Sequence, residues 1–309
     1  MKHSILQVEE SLTNAFTRLD RDITVEPSYH PGEDVASDLI NIAFSGSVGV
    51  VAYVDGLDLY VASVGDCQAV IGSREQNEWT ATSLTKPHVA DNQAEIKRLF
   101  SKHPNESNNI IRGGRLFGEL MPLRAFGDNR YKWSRQDLVN LKEAAAKSSD
   151  DTLQGYKNYN IQNNYRTPPY LDAEPEIVHY RLSPKDNFLV LASDGLWDSE
   201  EISVDKVISL VGHHSMGQQI LTRYRPSDGE KLGQINDVLR QRKENLSKRT
   251  VDVNAATHLL RHALGLEHGQ VSAMLTLPDR LVRYYRDDIS ITVIHFDPDY
   301  LRNYHSVKS

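Results

Sequence analysis

The side chains with the clearest chemical capacity in this sequence are aspartates placed where apolar runs stop. Asp194 closes the stretch Phe188–Asp198, whose first four residues, Phe188 to Leu191, read as a strand buried on both faces. Gly195 permits a sharp turn directly afterwards, so Asp194 is expected at the lip of a packed sheet. Asp198 follows four residues later. A helical turn starting at Asp194 would place both carboxylates on one face. Two such charges about 4 Å apart repel by ~4 kcal/mol at an effective dielectric of 20, and a cation between them turns that cost into attraction. The plainer alternative makes Asp194-Gly195 a turn and Asp198 a helix cap. Asp66 has the same setting, beside Gly65 at a strand end, and Asp287 with Asp288 precedes the last strand. Asp55, by contrast, reads as a turn residue of an Asp55-Gly56 hairpin.

Other chemistries lack their residues. No serine stands in a nucleophile elbow, no glycine-rich phosphate loop is present, and the twelve histidines show no zinc-ligand spacing. Carboxylates without cysteine or histidine partners favour hard cations, Mg²⁺ or Mn²⁺. Such a centre acidifies bound water and clamps phosphate oxygens.

The elements that must position these groups follow from periodicity. Ile5, Val8, Leu12, Phe16, Leu19 and Ile23 predict an amphipathic helix over residues 4–22, and the Pro-, Gly- and Asp-rich residues 26–38 predict a loop. Strands are expected at Val48–Val54, Leu57–Val64, Cys67–Ile71, Trp79–Leu84, Ile177–Leu182 and Ile289–Phe296, the first two forming the hairpin. Helices are expected at Ala90–Phe100, Gln136–Lys147, Val204–Val211, Ala255–Leu264 and Asp279–Tyr285. Pro122 and Gly127 make Leu120–Trp133 an ordered loop, and its prolines keep Tyr165–Pro175 extended. The basic run Arg240–Lys243 reads as a solvated helix face.

Composition sets the outer bounds. The 309 residues are 39% hydrophobic and 25% charged, with a net charge of −7, which fits a soluble globular protein and argues against a nucleic-acid surface. No apolar run approaches the ~20 residues needed to span a bilayer. The single cysteine, Cys67, excludes an internal disulfide and fits a reducing compartment. Glu9 and Glu10 come too early for a transit peptide. Neither repeats nor a linker-like composition shift divides the chain, so residues 1–309 are expected to form a single domain.

Four segments in order, GDCQAV (Gly65–Val70), LRAFGD (Leu123–Asp128), SDGLWD (Ser193–Asp198) and RDDISI (Arg286–Ile291), resemble the metal-dependent protein phosphatases of the 2C type, the PPM family. Longer segments, LMPLRAFGDNRYKW, YRTPPYLDAEPEI, NAATHLLRHALG and RYYRDDISI, resemble its pyruvate dehydrogenase phosphatase branch. The resemblance implies an α+β fold, a four-layer α-β-β-α sandwich of two antiparallel sheets, with a binuclear Mg²⁺ or Mn²⁺ centre at one end. It implies in-line attack of metal-activated water on a phosphoserine or phosphothreonine, without a phosphoenzyme. By position in the motifs, Asp194 and Asp287 match ligands of the central metal pair, and Asp66 and Asp198, with Asp194 again, match a weaker third site. Asp288, often Asn in the family, lies behind the ligands, while Arg124 and Asp128 match a structural loop. The implied substrate is phosphorylated pyruvate dehydrogenase, the implied location the mitochondrial matrix, and the implied docking partner the lipoyl domain of dihydrolipoamide acetyltransferase.

Three departures stand out. Cys67 replaces a usual Ser, and Pro87 a usual Asp before His88. The family's early phosphate-binding Arg, acidic pair and Asp-Gly-His-Gly turn have no counterpart, so the resemblance covers the later two-thirds of the family domain. The expected fold is therefore incomplete at its N-terminus, and a non-catalytic phosphatase-like binding module stands beside the enzyme reading. A third reading, an acidic cation-binding domain unrelated to phosphatases, leaves the order of the four motifs unexplained.

Overall fold

The computed structural model describes residues 2–25, 37–197, 202–216, 226, 229–247 and 252–308. Its main strands are β1 (Gly49–Asp55), β2 (Asp58–Val64), β3 (Gln68–Glu75), β4 (Glu78–Ser83), β5 (Glu176–Arg181), β6 (Asp186–Ala192) and β7 (Ile291–His295). Helices include α1 (Lys2–Val25), α2 (Ser37–Phe44), α3 (Gln93–Lys102), α4 (Arg135–Lys147), α5 (Val204–Ser215), α6 (Leu232–Ser247), α7 (Ala255–Leu264), α8 (His268–Leu275) and α9 (Pro298–Lys308). One sheet has the order β1-β2-β5 and another β7-β6-β3-β4. The class is α+β, as the sequence implies. The chain divides into two compact units, one comprising Met1–Ala69, Ser83–Ser183 and Tyr300–Ser309, the other Val70–Thr82 and Pro184–Asp299.

In the first unit, β1 and β2 pair antiparallel from Gly49↔Val64 to Asp55↔Asp58. Gly56 takes φ +62° at the first turn position, the conformation a two-residue hairpin loop requires there. Asp55 is exposed at this tip, as predicted for a turn residue. The hydrophobic stripe of α1 turns inward at Phe16, which packs with Ala62, Val64 and Ala173. Leu19, on the same predicted stripe, stays 52% exposed. Asp20 makes the inward contact on the next turn instead, accepting from the Gly127 N–H (2.9 Å) and from Lys132 Nζ (2.6 Å). A larger core joins Ile40 of α2, Leu99 of α3 and Leu138 and Leu141 of α4 to Phe117, Tyr131 and Tyr170.

The second unit is built on β6, where Phe188, Leu189 and Val190 are all fully buried. Since successive side chains point to opposite faces, this confirms a strand buried on both sides. Phe188 and Val190 pack with Val207 and Val211 of α5 and Leu259 of α7. Two glycines set how closely these layers approach. A Cβ at Gly72 would lie 2.3 Å from the Phe188 ring, and one at Gly212 2.1 Å from the Trp79 indole. Glycine inside a helix ordinarily costs 0.5–1 kcal/mol relative to alanine, so Gly212→Ala would stabilise a free helix. Here the clash reverses the sign. Gly212→Ala is expected to destabilise by about 1–3 kcal/mol, the usual cost of overpacking, read as a lowered urea midpoint. A raised midpoint would contradict it.

The structure differs from the sequence reading at several elements. The loop expected at 26–38 ends earlier, because Ser37 opens α2; residues 26–36 lie outside the described residues. Helices α8 and α9 were not anticipated. The helix expected at Asp279–Tyr285 is only Asp279–Val282, continued by hydrogen-bonded turns to Arg286. Trp197, at the end of the Asp194 turn, is half-buried: its Nε1–H donates to Ala192 O (3.0 Å), and Leu196 fills the core position.

Candidate metal centre

Strands β6 and β7 pair antiparallel, from Phe188↔His295 to Ala192↔Ile291. That register sets the residues after β6 beside those before β7. Ser193 fixes the junction with three bonds. Its N–H donates to Ser290 O (3.1 Å), its hydroxyl donates to Asp288 O (3.0 Å), and the Ser290 N–H donates to that hydroxyl (3.0 Å). Asp194 then opens a one-turn helix, Asp194–Trp197, the helical turn on which the pairing of Asp194 with Asp198 depended. Asp198 itself lies outside the described residues.

Asp194 and Asp287 are thus held at one end of one sheet, and Gly195 shows how tightly. A Cβ added there would stand 2.6 Å from Asp288 O. Asp287 is exposed, its carboxylate accepts from the Asp288 N–H (2.7 Å), and its carbonyl oxygen accepts from Arg286 (3.2 Å). Gly195→Ala is therefore expected to push the 287–288 backbone away from Asp194. Mn²⁺ affinity measured by calorimetry should fall while far-UV circular dichroism stays native. Unaltered affinity would show that this approach does not shape the centre.

Asp66 lies in the first unit, buried at 7% exposure. Its neighbour Gly65 is locked to a fully buried histidine. The Gly65 N–H donates to His88 Nδ1 (3.1 Å), the His88 N–H donates to Gly65 O (2.9 Å), and His88 Nε2 faces Glu176 (3.1 Å). Burial, reinforced by the Arg124 charge, depresses the His88 pKa against the pull of Glu95 and Glu176. The neutral imidazole then accepts at Nδ1 and donates at Nε2.

Arg124 and Asp128 are structural in what they touch. Arg124 holds both oxygens of the buried Glu95 and donates to Glu174 O (2.6 Å). Arg98 binds the same Glu95 carboxylate (2.8 Å) and Asp172 (2.7 Å), which also pairs with Lys102 (2.9 Å). Asp128 takes a left-handed conformation, φ +47°, and stands where a Cβ on Gly46 would clash at 1.9 Å. Burial raises its pKa despite Arg130 and Lys132. Sequence reasoning missed Glu95, although it precedes the buried Leu99 by one helical turn and so shares its inward face.

The donor set is oxygen-only at Asp194 and Asp287, which suits hard cations. Among the described residues no group of three or more His, Cys, Asp or Glu side chains is arranged to hold a metal ion. These residues alone thus supply a partial ligand set of the right chemistry.

Residues 2–228 match the Protein phosphatase 2C family, and the chain belongs to that family of metal-dependent phosphatases. It is 42% identical over 308 residues to pyruvate dehydrogenase (acetyl-transferring) phosphatase 1, mitochondrial, of Homo sapiens, covering 94% of this chain and 55% of that one. To the human phosphatase 2 of the same name it is 42% identical over 312 residues, covering 97% and 57%. The chain therefore spans little more than half the length of these relatives. A solved structure of serine-threonine phosphatase 2C from Toxoplasma gondii is similar at 16% identity and a TM-score of 0.48, covering 94% of this chain and 67% of that one. Among the described residues no helix is long and apolar enough to cross a membrane.

Proposed function

We propose that this chain forms, as a single domain over 1–309, the carboxylate-bearing part of a protein serine/threonine phosphatase that dephosphorylates pyruvate dehydrogenase. The observation that carries the reading is the Ser193 clamp, which joins Asp194 to the Asp287–Asp288 stretch in a chain of this family. Asp194 and Asp287 would hold Mg²⁺ or Mn²⁺ in a central pair, with Asp66 and Asp198 contributing to a third position and Asp288 behind the ligands. When bound, such cations acidify water and polarise phosphoryl oxygens. Ser193 and Gly195 keep the two strand ends in register, and Arg124 and Asp128 stiffen the loop between Leu120 and Trp133. The names of the human relatives support a mitochondrial location, which we assign to the matrix. The lipoyl domain of dihydrolipoamide acetyltransferase is the docking partner this reading implies.

The test is phosphate release from a phosphoserine peptide of pyruvate dehydrogenase, with the protein loaded with Mn²⁺ or Mg²⁺. Turnover should need the cation and vanish with a chelator. Chelator-insensitive turnover, or none with either cation, would overturn the proposal.

A further inference from the structure

The residues leading into Asp287 carry chemistry that the candidate centre does not use. From Pro278 to Arg286 the backbone bonds to itself at nearly every step. The Leu281 and Val282 N–H groups donate to Pro278 O (2.7 and 3.2 Å), Tyr284 to Leu281 O (3.0 Å), and Tyr285 and Arg286 to Val282 O (both 2.9 Å). Arg286 Nε adds a bond to Met274 O (3.1 Å) at the end of α8. The turn is held by its own main chain, which leaves its side chains available for other contacts.

Those side chains face outward. Tyr284 is 81% exposed and Tyr285 62%. Arg280 and Arg283 are exposed too, and neither forms an ion pair among the described residues. In a chain of net charge −7, two exposed guanidinium groups beside two exposed tyrosines place a basic, aromatic stretch next to Asp287. Tyrosine and arginine are the types most concentrated where proteins grip partners. Tyr285 is two residues from Asp287, at most ~7 Å along the chain, and Arg283 four residues, at most ~14 Å. That is the reach of the residues flanking a phosphorylated side chain bound near Asp287.

We propose that Arg280, Arg283, Tyr284 and Tyr285 form the surface that holds the substrate polypeptide beside its phosphorylated residue, selecting segments with acidic flanks. The inference rests on the phosphatase reading and adds the sequence preference of that site. Charge complementarity fixes the occupant. Guanidinium groups pair with carboxylates through paired, charge-assisted hydrogen bonds, and tyrosine rings add contact area at little entropic cost. Without the two arginines, Asp287 and Asp288 would repel an acidic segment. With them, carboxylates flanking the phosphorylated residue gain guanidinium partners.

Two phosphothreonine peptides differing only in Glu or Lys flanks, and p-nitrophenyl phosphate, which has no flanks, test this on the full protein loaded with Mn²⁺. The Glu-flanked peptide should show a KM about tenfold lower, equivalent to about 1.4 kcal/mol. Arg280→Glu with Arg283→Glu should invert that order, and Arg283→Lys should largely preserve it. Tyr284→Ala with Tyr285→Ala should raise the peptide KM values far more than that of p-nitrophenyl phosphate, with kcat little altered. A flank preference insensitive to charge reversal, or equal effects on all three substrates, would overturn the proposal. If the wild-type protein turns over none of them, the phosphatase reading fails. Fluorescence anisotropy of the labelled Glu-flanked peptide then decides the surface alone: loss of binding on charge reversal supports it, and equal binding refutes it.

Discussion

Asp194→Asn is expected to remove metal-dependent phosphate release while leaving the fold intact. Asparagine has nearly the shape of aspartate, so the helical turn Asp194–Trp197 and the Ser193 bonds to Asp288 and Ser290 have no reason to move. What changes is the charge offered to a cation. Losing a group behind a metal ligand typically costs about 10–100-fold in affinity or activity, and losing a ligand itself should cost more. Calorimetric Mn²⁺ titration and turnover of a phosphothreonine peptide should fall together. Asp55→Asn, at the exposed hairpin tip, serves as the control with wild-type turnover. Wild-type turnover by Asp194→Asn would remove Asp194 from the ligand set.

The largest expected effect on stability is at Glu95. Glu95 is 3% exposed, and its carboxylate binds both Arg98 and Arg124. Glu95→Ala leaves the buried Arg124 guanidinium without its carboxylate partner, and breaking a buried pair from one side costs about 3–5 kcal/mol. Set against a typical total of about 5–15 kcal/mol, that is a large fraction of the folding free energy. The urea midpoint should fall steeply; a shift comparable to that of a surface substitution would show the network to be dispensable.

The same network predicts a pH dependence. Burial alone would raise the Glu95 pKa, but the Arg124 hydrogen bond and the charges of Arg98 and Arg124 outweigh it and hold the pKa below the ordinary value of 4.5. Asp172 is lowered likewise: burial opposes, and Arg98 and Lys102 prevail. For a depressed carboxylate the stabilisation is complete above the unfolded pKa and is lost as pH falls through the folded one. Stability should therefore drop as acid is added below about pH 4.5, starting from the unfolded-state range. In Glu95→Ala this slope should flatten.

The sequence revealed most where one principle acted alone. Phe188–Leu191 was legible because four consecutive apolar residues leave no face for water, and the Asp55-Gly56 hairpin because glycine meets the turn's demand for positive φ. Helix α7 came out at its predicted ends, Ala255 and Leu264, where Asn254 caps the first turn by accepting from the Thr257 N–H. The carboxylates at strand ends were legible as a pattern, and Asp194 with Asp287 does share a sheet end. The support of these groups was not legible. Glu95 looks like any helix-surface acid paired with Arg98 one turn on, until Arg124, distant in sequence, is brought beside it. Leu19 fitted the hydrophobic period of α1, yet Asp20 took the inward role because Lys132 and the Gly127 N–H needed an acceptor. Helix α8 was missed because its apolar residues do not gather on one face.

The pairing of β2 with β5 has a consequence for synthesis. Strand β2 ends at Val64 and its partner begins at Glu176, with Ser63↔Glu176 at the join. A ribosome adding about 5–20 residues per second needs roughly 6–22 s to reach from one to the other. Throughout that interval the β2 edge of the nascent hairpin, with Tyr60, Val61 and Val64, is unpaired, so the first sheet is completed only when β5 emerges. Codon usage between these strands, and the chaperones that meet the emerging chain, would then govern how much of the protein reaches its native register.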